Sequence, residues 1–130
     1  MVDTQKVLMI IEDDPDNLDA LTMYFSSEGF LVRIANNRNA ALGILQQYEM
    51  PDVILSDWYM PGMSVEDFVQ AARKLDPMAE ILIMSASDDV VQNAQKLKLD
   101  YIRKPPHLPE LHRRVEDSLK RRRESRGTEQ

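Results

Sequence analysis

Five short apolar runs alternate along the chain with five stretches in which apolar residues recur every three or four positions. The runs are Val7–Ile11, Phe30–Ala35, Val53–Leu55, Ile81–Met84 and the weaker Tyr101–Ile102. A run that stays apolar, rather than alternating with polar residues, predicts a parallel strand covered on both faces. The intervening stripes predict amphipathic helices. Leu18, Leu21 and Phe25 form the first stripe, and Ala41, Ile44, Leu45 and Tyr48 the second. Val65, Phe68, Val69 and Ala72 form the third, and Leu108, Leu111 and Val115 begin the last. A shorter helix is predicted near Val90–Leu97.

Local signals mark the helix ends. Asp14-Pro15 predicts an N-cap followed by proline in the first turn. Ser64 with Asp67 three residues on predicts a capping box in its acidic form, and Gly29 predicts the close of the first helix. Repeated βα units with right-handed crossovers predict a doubly wound α/β domain, a five-stranded parallel sheet with helices on both faces. The domain is expected over residues 1–124, and a disordered tail over 125–130. Strand order does not follow from these patterns.

Composition narrows the function classes. A length of 130 residues leaves room for one domain. No apolar run is long enough to cross a bilayer, and the first residues lack a basic-then-apolar secretory pattern. A cytoplasmic protein with no membrane partner is therefore expected. The absence of cysteine excludes disulfide scaffolds, thiol catalysis and cysteine-ligated zinc, while His107 and His112 are too few for a zinc site. The net charge of −6 is uneven: residues 107–130 carry +2, leaving −8 on residues 1–106. Direct nucleic-acid binding by the domain is therefore not expected. The basic run at Lys120-Arg-Arg-Arg reads first as a helix end, where cations suit the dipole.

In an open parallel sheet, ligands gather outside the carboxyl ends of the strands. The first run leads into Glu12-Asp13-Asp14, the third through Ser56 into Asp57, the fourth into Ser85 and the fifth, after Arg103, into Lys104. Each alone has a plain structural reading: helix-dipole acids, a turn aspartate, a loop serine, an exposed lysine. Their conjunction at four strand ends favours a site, acidic and oxygen-rich with one cation opposite. Such a set suits Mg²⁺ and a phosphoryl group, because magnesium prefers oxygen ligands and is commonly held by one or two carboxylates plus phosphate. A carboxylate can itself be the nucleophile, forming an acyl phosphate. In-line phosphoryl transfer needs positioning and charge neutralisation more than proton chemistry.

The motifs Val-Leu-Met-Ile-Ile-Glu12-Asp13-Asp14, Asp57-Trp-Tyr-Met-Pro-Gly-Met, Met84-Ser-Ala and Tyr101-Ile-Arg-Lys104-Pro resemble, as a set, the receiver domain of two-component response regulators. The resemblance covers Lys6 to about Leu119 and implies a flavodoxin-like strand order, 2-1-3-4-5. It implies that Asp57 is the phosphoacceptor, served by a sensor histidine kinase or a histidine phosphotransfer protein. It further implies Mg²⁺ bound by Asp13, Asp57 and the Tyr59 backbone carbonyl, with Glu12 acting through water. Lys104 would pair with the phosphoryl group, Ser85 would move to bond it, and Tyr101 would turn inward behind Ser85. The Lys104-Pro105 bond is expected to be cis. The state would pass to a downstream protein target or a removed output domain, and a homodimer through the output surface stays open.

Several positions depart from the family pattern. The Ser85–Lys104 stretch is short by nearly a helical turn, and Lys98-Leu99 replaces a familiar Gly-Ala. Val65 stands where glycine is common, and Pro106 replaces a common phenylalanine. Tyr59 and Ser87 occupy variable positions flanking the site, and a ring at Tyr59 would shield an acyl phosphate from water. Trp58 reads either as a reporter of Mg²⁺ or as loop packing, and Met9 and Met84 read as core. The rival reading is a phosphorylation-independent receiver-like scaffold for protein binding. A phosphatase would be expected to place an acid–base residue where Tyr59 stands. In a flavin carrier, Glu12-Asp13-Asp14 would repel the phosphate.

Overall fold

The apolar runs form strands, most of them slightly longer than the runs themselves. The computed structural model describes residues 5–128, with side chains as far as Ser125. In chain order the elements are β1 (Lys6–Ile11), α1 (Pro15–Ser27), β2 (Phe30–Ala35), α2 (Arg38–Gln47), β3 (Val53–Asp57) and α3 (Val65–Leu75). They continue as β4 (Ile81–Ser85), a 3-10 turn (Asp88–Val90), α4 (Val91–Lys96), β5 (Asp100–Arg103) and α5 (Leu108–Thr128). All strand pairs are parallel, in the order β2-β1-β3-β4-β5.

Successive side chains of a strand point to opposite faces, which sorts the core into two layers. Met9, Ile11, Ile54, Ile81 and Ile83 pack in one layer with Leu45, Phe68, Val69 and Ala72 of α2 and α3. Leu8, Ile10, Val53, Leu55, Leu82 and Met84 pack in the other with Phe25 of α1 and Leu111 and Val115 of α5. Burying one Leu, Ile or Phe contributes roughly 1.5–3 kcal/mol, so strands filled on both faces dominate the hydrophobic stabilisation. Met9 and Met84 are fully buried within them.

The predicted caps form with one difference. Asp14 caps α1 ahead of Pro15, and Gly29 follows its end in the left-handed region (φ 92°). Ser64 Oγ accepts from the Asp67 N–H at 3.1 Å, but among the described residues the reciprocal half of the box does not form. Val65 is the buried first residue of α3, and the left-handed turn falls instead at Gly62 (φ 97°). The Lys104–Pro105 bond is cis.

The fourth helix departs furthest from its predicted span. Its first turn is 3-10, and only Val91–Lys96 is α-helical. It nevertheless closes as a full Schellman motif: Leu99 N–H bonds the Ala94 carbonyl at 2.9 Å, and Lys98 N–H bonds that of Gln95 at 3.0 Å. Lys98 takes the left-handed conformation (φ 57°) that glycine adopts without strain. Arg73 of α3 donates to the carbonyls of Leu97 (2.6 Å) and Lys98 (3.1 Å), fixing the turn from outside.

The last helix continues to Thr128, through the first four residues of the expected tail; residues 129–130 lie outside the described ones. Its basic run is tied to the amino-terminal edge of the sheet. Arg121 pairs with Glu80 and Asp100, Arg122 with Asp76 at 2.7 Å, and Arg123 lies 3.8 Å from Asp52. Three consecutive arginines thus pair with acids of that edge.

A left-handed non-glycine residue costs about 1–2 kcal/mol, of which glycine's greater unfolded-state entropy returns part. Lys98→Gly is therefore expected to raise the stability by about 0.5–1 kcal/mol, read as a higher urea midpoint with an unchanged slope.

Candidate functional site

Parallel register carries the candidate residues to one edge of the sheet. Ile11 pairs with Ser56 and Asp57 with Met84, so Glu12, one residue past the end of β1, comes level with Asp57. Backbone bonds continue just beyond the strand ends. Glu12 N–H bonds the Ala35 carbonyl (3.1 Å), Trp58 N–H that of Met84 (2.8 Å) and Lys104 N–H that of Ser85 (2.9 Å). The sheet, rather than free loops, therefore places these groups. Asp57 and Ser85 are the last residues of β3 and β4, inside the strands rather than just beyond them.

Glu12 is 1% exposed and Asp57 8%, while Asp13 lies open to solvent. One carboxylate oxygen from each of the three lies within 4.8 Å of the others. Lys104 Nζ donates to Glu12 Oε1 at 3.1 Å and to Asp57 Oδ2 at 3.2 Å, and the Asp14 N–H donates to Glu12 Oε2 at 3.2 Å. Burial pushes the Glu12 pKa above the ordinary carboxylate value, although the Asp14 N–H and the Lys104 ammonium both oppose it. Burial alone would lower the Lys104 pKa. The Glu12 hydrogen bond and the charges of Asp57 and Glu12 outweigh it and raise the value. Three convergent carboxylates are hard oxygen donors, and their spacing fits a single cation of the magnesium type.

The remaining candidates surround this cluster. Ser85 is fully buried, and its Oγ accepts from the Ser87 N–H at 3.1 Å. The half-buried Tyr101 donates its hydroxyl to the carbonyls of Ser87 (3.0 Å) and Ser85 (3.3 Å). Tyr59 is 56% exposed, and its hydroxyl donates to Asp89 Oδ1 at 3.2 Å. It thereby bridges the segment after β3 to the one after β4, where Ser87 also bonds Asp89 and Arg103 pairs with Asp88. Trp58 is half-buried and packs on the layer beneath α2 and α3. Among the described residues, no hydrogen bond reaches the Tyr59 carbonyl.

One residue beside the cluster escaped the sequence reading. Arg38, at the start of α2, is only 3% exposed and donates to backbone carbonyls of the segment that begins at Asp57. The available signal was its position: a cation in the first turn of a helix opposes the dipole and so implies a partner elsewhere.

A family model, the response regulator receiver domain, matches residues 8–116. The chain belongs to this family. The receiver is 28% identical over 116 residues to the DNA-binding response regulator MtrA of Mycolicibacterium smegmatis, covering 88% of this chain and 50% of that protein. It is 31% identical over 123 residues to a probable transcriptional regulator of Guillardia theta, covering 92% of this chain and 48% of that protein. The chain thus spans about half the length of these two relatives. The response regulator protein TrrA of Thermotoga maritima, solved in complex with Mg²⁺-BeF, has the same fold. It aligns with a TM-score of 0.79 at 23% identity, covering 88% of this chain and 99% of that one. Among the described residues, no helix is long and apolar enough to cross a membrane.

The ammonium of Lys104 already bonds two of the three convergent carboxylates, so it competes with a cation for their charge. Lys104→Ala leaves Glu12 and Asp57 without their shared donor and is expected to cost the metal-free receiver about 1–3 kcal/mol. In urea unfolding, MgCl₂ should raise the midpoint of the variant more than that of the wild type, because the competing ammonium is gone.

Proposed function

We propose that this receiver is a phosphorylatable signalling switch in which Asp57 accepts a phosphoryl group from a phosphohistidine donor. The donor is a sensor histidine kinase or a histidine phosphotransfer protein. The observation that carries this reading is the position of Asp57 at a strand end, level with Glu12 and bonded through Oδ2 to Lys104. Oδ1 is then the oxygen that attacks. Its bond to phosphorus forms as the P–N bond of the phosphoimidazole breaks, and the leaving imidazole keeps the electron pair and takes a proton from solvent. In-line transfer to a carboxylate oxygen calls on positioning and charge neutralisation more than on proton chemistry.

Asp13, Asp57 and the Tyr59 carbonyl would hold Mg²⁺, with Glu12 acting through water; when bound, the ion neutralises charge on the phosphoryl oxygens. TrrA, a protein of the same fold, was solved in complex with Mg²⁺-BeF, which supports a role for Mg²⁺ at this sheet edge. Lys104 pairs with the phosphoryl group as a point charge. Ser85 accepts from the Ser87 N–H and keeps its own O–H to donate to a phosphoryl oxygen. Phosphorylation adds roughly −1.5 to −2 charge and three acceptor oxygens at one point. Drawing Ser85 inward moves the carbonyls to which Tyr101 is bonded, so Tyr101 turns inward behind it and the α4–β5–α5 surface changes shape.

The receiver acts on itself, accepting one phosphoryl group from its donor and losing it again. Its reader is a downstream protein or an output domain of a cytoplasmic signalling protein, in keeping with relatives about twice its length.

Incubation with acetyl phosphate and Mg²⁺ should add one phosphoryl group to the intact mass of the wild type and none to Asp57→Ala. No adduct from acetyl phosphate or from a phosphohistidine donor would favour the scaffold reading. The Tyr59 ring spans the two segments that flank Asp57, where it screens an acyl phosphate from water. Tyr59→Ala should therefore shorten the phosphoryl lifetime several-fold, and an unchanged lifetime removes the shielding role.

A further inference from the structure

The guanidinium of Arg38 is the most completely engaged side chain near the site, and all its partners are backbone. Nε donates to the Met63 carbonyl at 2.7 Å and Nη1 to that of Asp57 at 2.8 Å. Nη2 donates to the carbonyls of Trp58 at 3.2 Å and Met60 at 3.4 Å. Four of the five donors of a guanidinium are thus used on one stretch of chain. The neighbouring Asn39 adds a weaker contact of opposite sense, its Oδ1 accepting from the Met63 N–H at 3.4 Å. The start of α2 therefore grips both the carbonyl and the amide side of the β3–α3 segment.

The gripped carbonyls bracket Tyr59. Asp57 and Trp58 precede it, Met60 and Met63 follow it, and its own carbonyl carries no hydrogen bond among the described residues. The chain path through Tyr59 is thereby fixed from both sides while its oxygen stays available. Among the described residues, Arg38 forms no close ion pair with a carboxylate. Burial weighs against its charge, and the carboxylates of Asp57, Glu66 and Asp13 offset part of that at longer range. Two effects on a cation therefore compete. A fixed positive charge repels it, and a fixed backbone path lowers the ordering cost of binding it. The lone ammonium of Lys104 meets carboxylates, whereas the Arg38 fork meets only neutral carbonyls, a pattern suited to holding geometry.

We propose that Arg38 is a positioning residue for the cation site, presetting the β3–α3 segment so that the Tyr59 carbonyl is held ready to join Asp13 and Asp57. This rests on the proposed metal role of those groups. Removing an outer-shell partner of a metal ligand weakens affinity by about 10–100-fold. Arg38→Lys keeps the charge and loses the fork, so it separates the two competing effects. Arg38→Gln, which buries no charge, carries the same expectation for the segment.

The experiment has two arms. In metal-free protein, hydrogen exchange of the amides of residues 58–63 should be about tenfold faster in R38K and R38Q than in the wild type. In a Mg²⁺ titration followed by Trp58, the only tryptophan of the chain, the R38K midpoint should rise about tenfold. Unchanged exchange, or an R38K midpoint equal to or below that of the wild type, overturns the proposal. A wild type that shows no response to Mg²⁺, confirmed by calorimetry, overturns the metal reading instead. The exchange arm then still decides whether Arg38 holds the segment.

Discussion

Parallel pairing lines up the carboxyl ends of the strands, and every group at the site inherits its height from that register. The constraint is strict because side chains alternate with a period of two. A slip of one residue in β3 would turn Val53 and Leu55 out of the layer they share with α1 and α5, and Ile54 out of the other. The same slip would lift Asp57 away from Glu12. Core packing and site geometry are therefore one requirement, enforced by strands filled on both faces. The backbone bonds of Glu12, Trp58 and Lys104 carry the register past the strand ends into the acidic cluster.

Fixing carboxylates side by side has an electrostatic cost, which the fold offsets from two directions. Lys104 reaches in from β5 with a partly exposed ammonium, bonding Glu12 and Asp57 directly. Arg38 lies on the α2 side, buried and committed to neutral carbonyls. The two cations differ in what they can give up. Lys104 holds its partners through one rotatable group and can exchange one oxygen partner for another. Arg38 would have to break four bonds to move. One cation is exchangeable and the other is part of the frame.

Much of this was legible in the sequence because it depends on local pattern. Continuous apolar runs located all five strands, and the polar residues that end them named Glu12, Asp13, Asp57, Ser85 and Lys104. The strand ends were set one or two residues short because Ser56 and Asp57 are polar, whereas the β3–β4 ladder runs through them. Contacts distant in sequence left no such trace. Arg38 meets Met63 across 25 residues and Tyr59 meets Asp89 across 30. The Schellman turn after α4 was hidden by its residue: lysine gives no signal of positive φ, and only the Ala94 and Gln95 carbonyls reveal the motif. The basic run of α5 looked solvated until the acids at the far edge of the sheet supplied its partners.

The segment between β4 and β5 is built unlike the rest of the chain. A 3-10 turn and a six-residue helix replace a regular helix, and isolated helices of that length are far below the limit of stability in water. What holds it is the burial of Val90, Ala94 and Leu99 together with a set of tethers: Tyr59 to Asp89, Tyr101 to the carbonyls of Ser85 and Ser87, Arg103 to Asp88, and Arg73 to the closing turn. Such a segment has little helical cooperativity of its own to resist displacement, so its position follows its tethers. Three of the four reach it from the end nearest Asp57. A change of charge there acts on a short element through few bonds, whereas the same change at α2 meets the Arg38 grip and a ten-residue helix. The shortened α4 thus biases any response of the sheet edge toward the β4–β5 side.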